Sequence, residues 1–310
     1  MSRPTRIKQW KFKRYLPFIK YATFNKVWNL LIAAVSRILG ITVISSKPAL
    51  LRVEISRKCE VKCLYCSEIK EDIFYPFDRF RSLIDELRKY LWLVSLYEVG
   101  EPLENENVID FIKYARNNNI GTVISTNLSL PKPDEFWEAL VGSGLDTIIV
   151  AIDGITAPVY NRYRTNGDLQ LVLSNLDKIL YYKKLHCVPM KIEWQMIDFP
   201  WNRGEQEPAR AMALRLNCDE FRIIQDVTSI RKSYRTDGKI RRRNCILPYF
   251  TFNVTAYNTV RSCTKNYDDP MQMGDLNAHT VSEIWNGPDI IQVRSRKLIK
   301  SRAGCRYCQE

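Results

Sequence analysis

Between Leu50 and Gln225, strand-like and helix-like apolar patterns alternate, and this restricts the fold more than any other feature of the 310-residue chain. "LLRVEIS", "VSLYEVG", "GTVIST", "DTIIVAID", "CVPMKIEWQMI" and "EFRIIQ" read as strands. "RSLIDELRKYLWL", "NVIDFIKYARNNN", "PDEFWEALVGSG", "LQLVLSNLDKILYYKK" and "EQEPARAMALRLN" have helical spacing. Largely apolar strands separated by helices predict a parallel sheet buried on both faces. The expected fold is therefore α/β, a partial (β/α)6 TIM-like barrel. In such a barrel, chemistry sits at the C-terminal ends of the strands. The alternation stops near Gln225, and "SIRKSYRTDGKIRRRN" reads as a basic linker. Three regions are expected: a basic helical extension over 1–49, the barrel over 50–230, and a small C-terminal domain over 231–310.

The formal net charge is +13. Ten Lys/Arg and no Asp or Glu lie in residues 1–50, leaving only +3 for the rest of the chain. The segment "KVWNLLIAAVSRILGITVI" has an uninterrupted apolar run of only Leu30 to Val35, too short for the roughly 20 residues of a membrane span. One or two amphipathic helices are expected here. They cap the barrel, lie, through residues 1–45, on an anionic membrane surface, or meet a phosphate-rich ligand. The start "MSRPTRIKQWKFKRY" lacks the pattern of a secretory leader. Nine cysteines in such a chain point to metal or redox chemistry in the cytoplasm rather than structural disulfides, with a peripheral place at the inner membrane face as a further option. Only two histidines are present, which argues against a His-based metal centre or general base.

Cys59, Cys63 and Cys66 follow the first strand in a Cys-x3-Cys-x2-Cys spacing. Three thiolates from one loop can hold three irons of a [4Fe–4S] cluster and leave the fourth open to a small chelating molecule. A structural zinc ion would need a fourth ligand, and none stands in the loop. Downstream, Cys245, Cys263, Cys305 and Cys308 supply four thiolates, enough to close either a zinc site or a second cluster.

The cysteine loop, with Tyr65 before its third cysteine, resembles the signature of the radical S-adenosylmethionine (radical SAM) superfamily. "YEVGEPLEN", "VISTNLSL" and "IIVAIDG" resemble the segments that follow its second, third and fourth strands. The resemblance covers about 48–230. It implies that SAM binds the open iron and is reductively cleaved to a 5′-deoxyadenosyl radical, which takes a hydrogen from substrate. Carried over by position, Gly100 and Glu101 face the methionine ammonium, Tyr65 lies near the adenine, and Ser125 and Asn127 line the SAM pocket. Arg164 is a candidate partner for the SAM carboxylate, since a planar cation suits it, and Gln195 for SAM or substrate. Val99, Leu128 and Ala151 depart from the family pattern. "CILPYFTFNVTAYNTVRSC", "MGDL", "VSEIWNG" and "CRYC" resemble a SPASM-type auxiliary-cluster domain, with Asn258 tolerating its left-handed turn. One auxiliary [4Fe–4S] cluster is implied, on spacing similar to that of 2-deoxy-scyllo-inosamine dehydrogenases.

The resulting expectation is a radical SAM oxidoreductase that oxidises an alcohol of a small polar, sugar-like or lipid- or nucleotide-linked substrate. The auxiliary cluster would accept an electron, and a flavodoxin or ferredoxin would supply the reducing one. Epimerisation needs a hydrogen donor, and the spare thiols Cys187 and Cys218 are placed at the wrong end of the barrel, as buried or boundary residues. Asp153, Glu193 and Asp226 are candidate general bases. The alternatives are a peptide maturase, a lipid-modifying enzyme and, remotely, a metal-stapled nucleic-acid binder.

Overall fold

The fold is that of a computed structural model, which describes residues 16–66, 71–225, 246–263 and 272–295. A 3-10 helix, Leu16–Tyr21, leads into α1 (Phe24–Leu39). There follow β1 (Leu50–Val53), β2 (Lys62–Cys63), α2 (Phe77–Leu87), β3 (Leu93–Ser95), α3 (Val108–Asn117) and β4 (Gly121–Thr126). Next come α4 (Asp134–Val141), β5 (Thr147–Ala151), α5 (Ala157–Tyr163), β6 (Arg164–Thr165), α6 (Leu169–Leu185) and β7 (Lys191–Asp198). The chain continues through α7 (Gln206–Arg215), β8 (Glu220–Gln225), β9 (Thr251–Val254), β10 (Thr259–Arg261), β11 (Gln272–Asp275), α8 (Val281–Trp285) and α9 (Pro288–Arg294).

The six expected strands form one parallel run in the order β1-β3-β4-β5-β7-β8, the wall of a partial barrel. Alternate residues explain its stability. Leu51, Val53, Val94, Ile124, Ile148, Val150, Ile192 and Trp194 point outward and pack under the helices. There α2 presents Phe80, Leu83, Ile84 and Leu87, the apolar stripe that its spacing predicts. The sheet also runs across the expected boundary at 230/231. β9 pairs parallel to β1, Val254 opposite Val53; β10 adds antiparallel to β9, and β11 antiparallel to β10. Its turn places Asn258 at φ +65°, the left-handed conformation expected there.

The barrel floor is closed from the N-terminal side. Phe18 and Tyr21 insert against Leu93, Val123 and Ile149, the inward-facing residues of β3, β4 and β5. Gly121 makes room for them, because a Cβ there would stand 2.3 Å from the Phe18 ring. The Tyr21 hydroxyl donates to both oxygens of Asp146 (2.9 and 2.8 Å), which also accepts from the Thr122 amide at 2.8 Å and pairs with Lys20. Beside this plug, α1 buries Lys26, Asn29, Ala33 and Ser36 rather than its apolar side. Asn29 exchanges two hydrogen bonds with the Lys47 backbone (2.9 and 2.7 Å), and Lys26 donates to the Asn119 carbonyl. The end of a barrel exposes loop carbonyls, and polar side chains satisfy them.

Some elements differ from expectation. β3 ends at Ser95, so Glu98 to Gly100 already belong to the loop above the barrel. β7 begins at Lys191 rather than at Cys187, which is exposed at φ +51° just after α6. Helix α5 lies over a segment whose pattern gave no element; seven residues are too few for periodicity to show.

Candidate active site

The cysteine loop rises from the C-terminal end of β1 and is pinned at three places. Arg57 and Tyr75 exchange backbone bonds with Ile73 and Ile55 (2.9 and 3.1 Å), closing its base. In its middle, β2 pairs antiparallel with β6, setting Cys63 opposite Arg164. The Leu64 amide donates to the Tyr163 carbonyl at 2.8 Å, and the Cys66 amide to the Cys63 carbonyl at 3.1 Å. All three thiols are partly exposed. The hairpin tip of β9 and β10 packs on the loop's base. Glu54 accepts from the Ala256 amide at 3.0 Å, and Arg57 stacks on the Tyr257 ring at 5.0 Å.

Donors approach two of the sulfurs. The Asn127 side-chain amide lies 3.5 Å from the Cys59 sulfur, and an Arg164 guanidinium nitrogen lies 3.7 Å from that of Cys63. Both contacts set a hydrogen-bond donor beside a sulfur, the arrangement that tunes a metal-bound thiolate. Arg164 is buried and held by Asp153 at 2.7 Å, whose other oxygen accepts from the Ile197 amide at 2.7 Å. The structure thus places Arg164 between a carboxylate and a cysteine, on the rim of the loop.

Gly100 lies flat against the stem of the same loop. A Cβ there would stand 2.2 Å from the Ser56 carbonyl oxygen and 2.7 Å from the Arg57 Cα, so only glycine allows this approach. Glu101 is buried and accepts from the amides of Asn127 (2.8 Å) and Leu103 (3.1 Å). Its backbone amide donates to the Lys58 carbonyl at 2.8 Å. Burial pushes its carboxyl up to about 8, and the Glu60 charge adds to this against the amide bonds. Glu101 therefore ties the cysteine stem to the end of β4. Leu128 follows at φ +56°, a conformation glycine adopts freely and leucine does not. Its burial in the core, the Thr126 hydroxyl on its amide (3.0 Å) and Asn175 on its carbonyl (2.9 Å) hold it there.

Tyr65 leans on an aromatic wall that the sequence reading missed. Its ring centroid lies 6.3, 6.0 and 6.5 Å from those of Tyr163, Phe199 and Trp201, and Phe199 stacks on Trp201 at 4.5 Å. The available signal was "DFPWN" at the C-terminal end of a strand, where site residues are expected. Ser125 and Gln195 lie on the inward-facing register of β4 and β7. Gln195 accepts from Arg222 at 2.6 Å, and Arg222 also pairs with the buried Glu193 at 2.7 Å. Two of the candidate bases, Asp153 and Glu193, are thus engaged by arginines. A further carboxyl also went unread: Glu98, beside Arg52 at 3.2 Å, is pushed up to about 7 by burial despite that cation.

The residues fit a cluster. Three thiols share one pinned loop, and a cation and an amide are aimed at two of the sulfurs. Cys263 lies just past β10 and is partly exposed. Cys245, Cys305, Cys308 and Asp226 lie outside the described residues. Cys187 and Cys218 sit before β7 and β8, at the barrel end away from the cysteine loop. Burial pushes the Cys218 thiol up to about 12, which keeps it protonated.

Comparison with known proteins agrees with this placement. A family model described as the radical SAM superfamily matches residues 53–184, and one described as an iron–sulfur cluster-binding domain, SPASM, matches 245–309. The Fe-coproporphyrin III synthase of Methanosarcina barkeri is 32% identical over 104 residues, 32% of this chain and 26% of that protein. The GTP 3′,8-cyclase of Limosilactobacillus fermentum is 29% identical over 159 residues, 48% of this chain and 47% of that one. The chain thus spans between about a quarter and a half of the length of these two curated relatives. Among solved structures, SuiB of Streptococcus suis bound to S-adenosylmethionine superposes with a TM-score of 0.65 at 14% identity, covering 92% of this chain and 79% of that one. BtrN in complex with AdoMet and 2-DOIA gives 0.53 at 15%, covering 82% and 88%. With the first family model on the barrel and its cysteine loop and the second on the C-terminal cysteines, this chain carries a radical SAM domain over 53–184 and a SPASM domain over 245–309, a pairing that implies SAM, a [4Fe–4S] cluster and auxiliary iron–sulfur binding.

Proposed function

We propose that this protein is a cytoplasmic radical SAM oxidoreductase that oxidises an alcohol of a small polar or sugar-like substrate, taking its reducing electron from a flavodoxin or ferredoxin. The observation that carries the reading is the placement of the thiols. Cys59, Cys63 and Cys66 stand together at the C-terminal rim, whereas Cys187 and Cys218 lie at the opposite end. No spare thiol among the described residues is therefore placed to return a hydrogen atom to a substrate radical, as epimerisation requires. When bound, SAM and the clusters supply the redox chemistry: an electron to split the sulfonium, a 5′-deoxyadenosyl radical to take hydrogen, and an acceptor for the electron left on the substrate.

The chain's own residues do the rest. Cys59, Cys63 and Cys66 hold the SAM-cleaving cluster; Cys245, Cys263, Cys305 and Cys308 hold the auxiliary one. Asn127 and Arg164 stabilise charge on the sulfurs they approach. Gly100 and Glu101 fix the loop against β4 and offer the methionine end of SAM a polar edge. Tyr65, with Phe199 and Trp201 behind it, forms an apolar flank for the adenine and limits water entry. Ser125 and Gln195 line the cavity between loop and lumen.

A peptide substrate is the second reading, since a SuiB structure bound to precursor peptide SuiA covers 88% of this chain at a TM-score of 0.65. The test is anaerobic reconstitution of the full chain, followed by iron counting and assay of dithionite-dependent 5′-deoxyadenosine release. About eight irons per chain, falling to about four with loss of SAM cleavage in the Cys59/Cys63/Cys66→Ala variant, is the expected result. Iron near four in the intact protein would remove the electron-acceptor role. Deuterium transfer from C–D-labelled polyols, rather than from peptides, into 5′-deoxyadenosine would choose between the substrates.

A further inference from the structure

Helix α1 is amphipathic, but it is seated with its apolar side outward. Ten of the eighteen large hydrophobic side chains exposed among the described residues lie between Ile19 and Val43. Phe24, Trp28, Leu31, Val35, Ile38 and Leu39 recur every three or four residues and form one stripe, with Phe24 80% and Ile38 77% exposed. Phe24 and Trp28 stack on each other rather than on the barrel. The opposite side is committed to the barrel floor through Lys26 and Asn29, so the helix cannot roll its stripe inward without breaking those bonds. A contiguous exposed patch of this kind marks an interaction surface.

Charge indicates what covers it. Residues 1–50 contain ten Lys/Arg and no Asp or Glu, so the stretch of sequence that carries the stripe bears a net positive charge. An anionic bilayer surface offers both requirements, an apolar layer a few ångströms deep beneath negative headgroups. No helix among the described residues is long and apolar enough to cross a membrane. We propose that α1 seats this protein on an anionic lipid surface, with its axis in the plane of the bilayer and its apolar stripe down. The geometry carries a consequence. The helix is anchored to Asn119, Lys47 and Trp92, residues that immediately precede β4, β1 and β3, so it lies at the N-terminal end of the strands. The cysteine loop lies at the other end. Docked this way, the mouth of the barrel faces solution, and a substrate arrives from the aqueous side rather than from the same bilayer.

The test is flotation of the full-length, anaerobically reconstituted protein with vesicles of phosphatidylcholine alone and of phosphatidylcholine mixed with phosphatidylglycerol. The protein is expected to float with the mixed vesicles, and about tenfold less with neutral vesicles or at high salt. The Trp28→Glu/Ile38→Glu variant is expected to lose about tenfold or more of this binding while keeping its iron content and melting temperature. Vesicles are expected to leave the rate of SAM cleavage unchanged; the flotation result stands whether or not SAM is cleaved. Failure to float with the mixed vesicles, equal binding by the variant, or equal binding to neutral vesicles overturns the proposal. A dimer that the variant dissociates, without flotation, assigns the stripe to a second copy and also overturns it. Inhibition of SAM cleavage by bound vesicles overturns the outward-facing orientation.

Discussion

At the C-terminal end of its strands the barrel buries carboxyls and lets backbone press on backbone; at the other end it is stoppered by side chains. Above the strands, Glu54, Glu98 and Glu101 are screened from water among amides and arginines, and Gly100 lies against the main chain of Ser56 and Arg57. Below them, Phe18 and Tyr21 fill the lumen, and Gly121 faces an aromatic ring instead of a backbone. The upper end cannot relax without moving the cysteine loop. The lower end can adjust through rotamers. Precision is thus concentrated where cluster and SAM are expected to bind.

The largest effect that tests this contrast is expected from Gly100→Ala. Its methyl meets backbone that cannot give way, and a loss of about 4 kcal/mol, read by chemical denaturation, is expected together with loss of iron retention. Phe18→Ala empties the floor and should cost about 3 kcal/mol with the iron site intact. Gly121→Ala alone should cost roughly 2 kcal/mol, less than Gly100→Ala, because only a ring must move. Combined with Phe18→Ala, its cost should largely vanish, since the clash partner has gone; simple additivity would show that the plug does not set the Gly121 requirement.

Glu98 tests the upper end by pH. Its folded value of about 7 lies above the ordinary carboxylate value of 4.5, so the folded state holds a proton that the unfolded state has released. Stability therefore falls as pH rises from about 4.5 to about 7. Glu98→Gln should remove that fall and gain about 2 kcal/mol at neutral pH. A pH-stability profile unchanged by the substitution would place the carboxyl in water. The smallest effect is expected at α1, where Ile38→Glu should change stability by no more than about 0.5 kcal/mol, because the side chain is mostly exposed to solvent.

The most legible parts of the molecule were those written in short spacings. The six strands, the α4 start at Pro133 and its Gly142 end, and the cysteine loop all come from neighbours within a few residues. The aromatic wall was not legible, because Tyr65, Tyr163, Phe199 and Trp201 arrive from three separate segments, the cysteine loop, the end of α5 and the loop after β7. Glu98 passed unnoticed inside "VSLYEVG", where a charge in an apolar run was the only sign. Helix α1 is the sharpest case. Periodicity shows that a helix has two faces, yet α2 buries its apolar one and α1 its polar one. What decides is the surface each meets, an apolar sheet for α2 and loop carbonyls for α1.

By itself the sequence determined the order of strands, the parallel barrel, the thiols for a cluster and the two domain types that the chain carries. These follow from local periodicity and from residue types whose chemistry depends little on context. Only the tertiary structure decided that β9 continues the barrel sheet beside β1, that Phe18 and Tyr21 close its floor, and that Arg164 stands between Asp153 and Cys63. Those contacts join residues distant along the chain, and which of them form depends on packing and on the burial of charge, quantities that a linear pattern does not carry.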